Sequence, residues 1–180
     1  DFLDWYEKLD VKYKIFVAGN HSTSIGFNRL KRSEIEEKGI IYLEHESVEI
    51  EGVKFFGSPY TPTFGVNWAF NKNRGKLYTL WEKIPEDTDI LITHGPPLGI
   101  CDHTYEGSLI ESCGDRSLLN IIRNRNIKYH FFSHLHDEED VFNAGIFKPS
   151  QLQTTFVNVA VVNLHHLFTN NGELIKYDKN

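Results

Sequence analysis

The 180-residue sequence holds no methionine, only two cysteines, and no apolar run approaching the ~20 residues that cross a bilayer. Each shortage excludes something. Cys101 and Cys113 permit at most one disulfide, too few for a disulfide scaffold, and point to reduced thiols in a cytoplasmic protein. No membrane span is expected, and no apolar segment with a small-residue cleavage site marks a signal peptide. Positive charge is also scarce. The 19 Lys and Arg face 25 Asp and Glu, a net −6, and no long basic block exists to grip a nucleic-acid polymer or an anionic membrane. With no repeats or low-complexity linkers, residues 1–180 read as a single domain. The missing initiator methionine has a further implication. Phe2, Trp5, Tyr6 and Leu9 fall at helical spacing, so residue 1 is expected inside an amphipathic helix and the domain is expected to be N-terminally truncated.

What is present is a set of short apolar runs with polar residues just past their ends. Residues 14–18 lead into Gly19-Asn20-His21, residues 89–93 into His94-Gly95-Pro96-Pro97, and residues 128–132 into Ser133-His134-Leu135-His136. Each run predicts a buried strand. Between the last two, Leu118, Leu119, Ile121 and Ile122 predict an amphipathic helix over residues 115–125, completing a strand-helix-strand unit. Residues 44–57 alternate about Glu51-Gly52 and predict a hairpin, while residues 154–163 and 173–177 predict further strands. In open α/β sheets, ligands collect beyond the carboxyl ends of strands, so three such ends carrying Asn and His point to one shared site.

The residue types suit metal chemistry. His134 and His136 are two apart, and on an extended segment both rings project from one face, able to hold one ion or two adjacent ones. The competing reading, a polar pair on a half-exposed strand, is weakened by the apolar Tyr129-His130-Phe131-Phe132 before it. Asn20 offers a neutral hard oxygen after a glycine that permits a sharp turn, and His21 is left free for acid-base work. The competing reading is an Asn side chain satisfying its own turn. His94 precedes a Gly-Pro-Pro stretch that holds its ring in place, although a satisfied loop histidine has the same pattern.

Gly19-Asn20-His21, Thr93-His94-Gly95-Pro96-Pro97 and His134-Leu135-His136 together resemble three ordered motifs of the calcineurin-like metallophosphoesterases. The stretch from Gly57-Ser58-Pro59-Tyr60-Thr61-Pro62 to Trp68-Ala69-Phe70-Asn71 resembles the branch containing the brain-expressed metallophosphoesterase-domain proteins. The resemblance runs from residue 1 to about Asn163. It implies an α/β fold in four layers, two mixed sheets flanked by helices, with two divalent metal ions at the strand ends of the complete protein. By that resemblance Asn20, His94 and His134 would hold one metal, His136 would belong to the other, and His21 would face the leaving oxygen. The family's Asp-x-His pair and bridging Asp would lie upstream, and Asp1 is not assigned to them. Ser22 and Ser133 depart from the family's usual acidic residue and glycine.

The implied activity is hydrolysis of a phosphodiester or phosphomonoester, in a small phosphorylated substrate such as a nucleotide, by metal-hydroxide attack. A mixed N/O ligand set favours Mn, with Fe or Zn as alternatives. The rival expectation is a non-catalytic metal-binding or interaction domain of the same fold. Trp68, Phe70 and Asn71 are candidates for a nucleobase surface, against the reading that such aromatics are core. The run Asp137-Glu138-Glu139-Asp140 reads as a solvated loop rather than support for the histidines, and Cys101, His103 and Cys113 lack zinc-site spacing. Truncation also predicts self-association through uncovered sheet surface.

Overall fold

Local patterning accounts for most of the elements. In the computed structural model, which describes residues 2–138 and 140–178, helix α1 (Phe2–Glu7) leads to strand β1 (Ile15–Phe16), short helices α2 (Thr23–Gly26) and α3 (Arg32–Glu36), and strand β2 (Ile41–Tyr42). The expected hairpin follows as β3 (Glu46–Ile50) and β4 (Val53–Ser58). Its turn residues Glu51 and Gly52 both take positive φ, 51° and 77°, as primed two-residue turns require. Next come β5 (Thr61–Pro62), β6 (Asn71–Lys72), helix α4 (Arg74–Trp81), β7 (Ile90–Thr93), the hairpin β8 (His103–Glu106) and β9 (Leu109–Ser112), helix α5 (Arg116–Arg123), and β10 (Tyr129–Phe132), β11 (Gly145–Phe147) and β12 (Thr155–Asn158).

Six strands form one mixed sheet in the order β11-β12-β10-β7-β4-β3. The inner four run parallel and the edge strands β3 and β11 antiparallel, so β4, β7, β10 and β12 all end at the same edge. The predicted unit β7-α5-β10 is there, with its strands adjacent and parallel. Asp115 starts α5 by accepting from the Leu118 amide at 2.8 Å, and it also accepts from the buried Trp81 indole at 3.1 Å, tying α5 to α4. Leu77 and Trp81 of α4 and Leu118, Leu119 and Ile122 of α5 bury one face of this sheet with Phe56, Leu91, Phe132 and Phe156.

On the other side lies a parallel pair, β1 with β2. Gly57 of β4 makes the approach possible, since a Cβ there would stand 2.8 Å from Leu43 Cδ1 and 2.9 Å from Val17 Cγ2. Beyond this pair, Leu3 of α1 and Ile35 of α3 form a second apolar cluster with Ala18, Ile40 and Tyr42. The order is therefore helices, large sheet, small sheet, helices, which is the four-layer α/β arrangement expected. No helix among the described residues is long and apolar enough to cross a membrane.

Two local expectations need correction. Residues 173–177 form no strand: Leu174 is exposed and no strand among the described residues pairs with them. The segment is held by a side chain instead, Tyr177 Oη accepting from Lys128 Nζ at 2.8 Å and donating to Asp89 at 3.1 Å. In α1 the buried residue is Leu3, while Phe2 and Trp5 face outward. Asp1 and Glu139 lie outside the described residues.

Candidate metal centre

The turn after β1 is built from its own sequence. Ser22 donates its amide to the Gly19 carbonyl at 2.9 Å and takes the Gly19 amide on its hydroxyl at 3.1 Å, so the residue that departs from the family pattern ties the turn. Asn20 is buried within it. From the end of β7, His94 brings Nε2 to 2.6 Å from Asn20 Oδ1, across 74 residues of chain. His94 is held on both sides, its amide donating to the Ser58 carbonyl at 3.1 Å and its carbonyl accepting from the Ser133 amide at 3.0 Å. The neighbouring strand β10 delivers His134, whose ring centre is 4.7 Å from that of His94. His134 takes a left-handed φ of 73°, an uncommon conformation of the kind that concentrates at functional sites.

His136 lies beyond this pair. Its Nδ1 sits 2.7 Å from the Val162 carbonyl, which can only accept, so Nδ1 carries the hydrogen and Nε2 keeps its lone pair. Asn143, wholly buried, donates to the carbonyls of His136 and His103 and braces this loop, while Asp137 accepts from the amides of Asn143 and Ala144. Of the acidic run, Asp137 thus bonds loop backbone and Glu138 accepts from the Thr104 hydroxyl. His21 is exposed, edge-on to Trp68 at 4.6 Å.

Burial drives the His94 ring down to about 3, with His134, His21 and His136 adding repulsion. It drives His134 down to about 4, with His136 and His21 contributing. Both rings are therefore neutral at neutral pH, the form that binds metal. Two lone-pair atoms as close as Asn20 Oδ1 and His94 Nε2 need a proton or a cation between them. Among the described residues no group of three or more His, Cys, Asp or Glu is gathered to hold a metal ion, and the close approach here pairs an imidazole with an amide oxygen. An amide oxygen beside neutral imidazoles is a donor set whose chemistry fits a divalent cation.

The sequence-based aromatic candidates divide. Trp68 stands at the site, but Phe70 packs its ring with the cluster of α1, β1 and β2, and Asn71 donates to the Ala69 carbonyl at 3.4 Å with its side-chain oxygen buried. Both are half-buried, as Trp68 is. Phe64, which no motif marks, completes the wall: it is exposed, 5.0 Å from His134 and 5.8 Å from Trp68 between ring centres. A cleft of about 630 Å³ lies elsewhere, against Asp137, Asn163 and Leu164.

A family model described as calcineurin-like phosphoesterase matches residues 1–138. The chain belongs to the calcineurin-like phosphoesterase family. A UPF0046 protein of Caenorhabditis elegans is 36% identical over 168 residues, covering 84% of this chain and 53% of its own length. Metallophosphoesterase domain-containing protein 1 of Homo sapiens is 32% identical over 189 residues, covering 92% of this chain and 55% of its own. The chain spans about half the length of these curated relatives, which fit the branch that residues 57–71 resemble. One solved crystal structure, 19% identical, gives a TM-score of 0.62 over 88% of this chain and 61% of its own, a likeness of fold. Calcineurin-like phosphoesterases usually bind divalent metals.

Proposed function

We propose that this chain carries the asparagine and histidine half of a metal-dependent phosphoesterase site acting on a phosphodiester or phosphomonoester, in a small substrate such as a nucleotide. The convergence of Asn20, His94 and His134 from three strand ends carries this reading. Asn20, His94 and His134 would hold one cation and His136 would serve a second. Mn suits the mixed oxygen and nitrogen donors, with Fe or Zn as alternatives. When bound, a divalent cation neutralises phosphoryl charge and makes a water nucleophilic at neutral pH.

The chain's own residues do the rest. His21, exposed beside the site, donates a proton to the leaving oxygen. Trp68 and Phe64 offer flat faces against which an aromatic leaving group or a nucleobase stacks. Exposed Leu109, Phe142, Leu167 and Phe168 support self-association, which sedimentation would detect. The two reduced thiols, Cys101 and Cys113, support a cytoplasmic setting.

The test is hydrolysis of nitrophenyl phosphate mono- and diesters and of nucleotides in the presence of Mn. Turnover that disappears in His94→Ala is expected. Turnover that survives in both His94→Ala and Asn20→Ala would place the chemistry elsewhere.

A further inference from the structure

The parallel strands carry a cross-sheet row facing α4 and α5: Phe56, Leu91, His130 and Phe156 stand side by side in register. Three are apolar and the fourth is an imidazole with no exposed surface, its ring 5.0 Å from Phe132 and 5.8 Å from Phe156. A phenylalanine or leucine would fill this place without desolvating a polar ring. His130 therefore answers to something other than packing.

Its hydrogen bonds can be assigned without ambiguity. Thr93 Oγ1 lies 2.7 Å from the Gly95 carbonyl oxygen and 2.7 Å from His130 Nε2. The carbonyl only accepts, so the one hydroxyl hydrogen of Thr93 goes to Gly95. The hydroxyl must then accept from His130, which fixes the hydrogen on Nε2 and leaves Nδ1 bare. Nδ1 is indeed buried without a partner among the described residues. The chain runs His130 Nε2–H to Thr93 O–H to Gly95 O, and it ends one residue beyond His94. Gly95 is pressed from its other side as well, since a Cβ there would stand 2.7 Å from the hydroxyl of buried Thr61.

We propose that His130 is a positioning residue for the metal centre: from the middle of the sheet, through the Thr93 hydroxyl, it holds the His94-Gly95 turn and with it the direction of the His94 ring. The proposal rests on His94 belonging to the functional centre, but its test needs neither metal nor turnover. Long-range proton–nitrogen NMR of the metal-free protein reads the tautomer of each histidine. The expected result is His130 in the Nε2–H form. His130→Phe, which keeps the ring volume, and Thr93→Val should shift the His94 ring signals in the same sense. The double variant should shift them no further, and Thr93→Ser should restore them. Mn affinity measured by calorimetry should fall by roughly 10- to 100-fold in His130→Phe and Thr93→Val, the range for residues supporting a metal ligand, and recover in Thr93→Ser. An Nδ1–H tautomer at His130, or His94 signals unmoved in folded His130→Phe, overturns the proposal. Should His130→Phe fail to fold, the contrast between Thr93→Val and Thr93→Ser decides: equal His94 signals in the two also overturn it. Absence of phosphoesterase activity would defeat the functional reading while leaving the His130 result intact.

Discussion

Replacing Gly19 with alanine adds one methyl group at the point where the turn after β1 meets the His94 ring. Backbone conformation is not the issue. A Cβ at residue 19 would stand 2.5 Å from His94 Nδ1 and 2.9 Å from Nε2, where ordinary contact begins at 3.4 Å. Because His94 is anchored through its amide to Ser58 and through its carbonyl to Ser133, relief must come from the ring. It has to retreat by about 1 Å, which carries Nε2 from 2.6 Å toward the limit of contact with Asn20 Oδ1. Misplacement on the order of 1 Å costs about 10²-fold in a reaction that depends on positioning. Overpacking of this kind also destabilises by roughly 1–3 kcal/mol.

The assay is Mn affinity by calorimetry alongside the urea midpoint, with Gly39→Ala as the control. Gly39 has φ of 70° and open space around a Cβ, so alanine there strains the backbone, by about 1–2 kcal/mol, and touches nothing at the site. Gly19→Ala should lose metal affinity as well as stability, and Gly39→Ala should lose stability alone. If Gly19→Ala folds and binds Mn as the parent does, the Asn20–His94 approach is not the metal centre.

Asn20→Ala should lower Mn affinity while Asn20→Asp should retain it, since a carboxylate replaces the amide oxygen; equal affinity in all three proteins would remove Asn20 from the ligand set. His21→Ala should leave Mn binding unchanged and slow hydrolysis on the order of 10² to 10⁴ for alkyl leaving groups, with a smaller loss for nitrophenolate; equal losses would reject proton donation. His130 is neutral and held down to about 3 by burial, so its contribution is present above its unfolded value and is lost as pH falls from about 6.5 toward 3. That amounts to about 2 kcal/mol at about pH 5, and urea midpoints measured across this window should fall with acid more steeply in the parent than in His130→Phe. Asp115→Ala should cost about 2–4 kcal/mol in urea unfolding, combining a lost helix cap at Leu118 with an unpaired Trp81 indole; a loss below 1 kcal/mol would show that neither bond matters.

What could be read from the sequence was what is decided within a few residues. Glu51-Gly52 declares its hairpin, Leu118, Leu119, Ile121 and Ile122 their helix, and the apolar runs before His94 and His134 declare buried strands, because each signal is local. Residues 173–177 misled for the same reason: alternation describes a strand, but only a partner strand makes one. Phe70 and Asn71 carry no local signal of how deeply they sit, and both are half-buried, Phe70 against the cluster of α1, β1 and β2. Phe64 had no signal at all, since it reaches His134 across 70 residues through the course of a loop.

The site's dimensions are the least legible part, because they depend on atoms that are absent. Three strand ends can be found one at a time, yet their meeting requires the small sheet to lie close on the large one and the His94 ring to lie close on the turn after β1. Gly57 allows the first approach and Gly19 the second, each by lacking a Cβ that would otherwise collide. Gly57 sits inside a strand whose pattern would have been equally well served by alanine, and Gly19 reads as an ordinary turn glycine. Neither residue carries chemistry. Together they set whether Asn20 and His94 face one another at 2.6 Å or stand apart as two unrelated loop residues, which makes alanine at either position a more searching test of the centre than removal of a ligand.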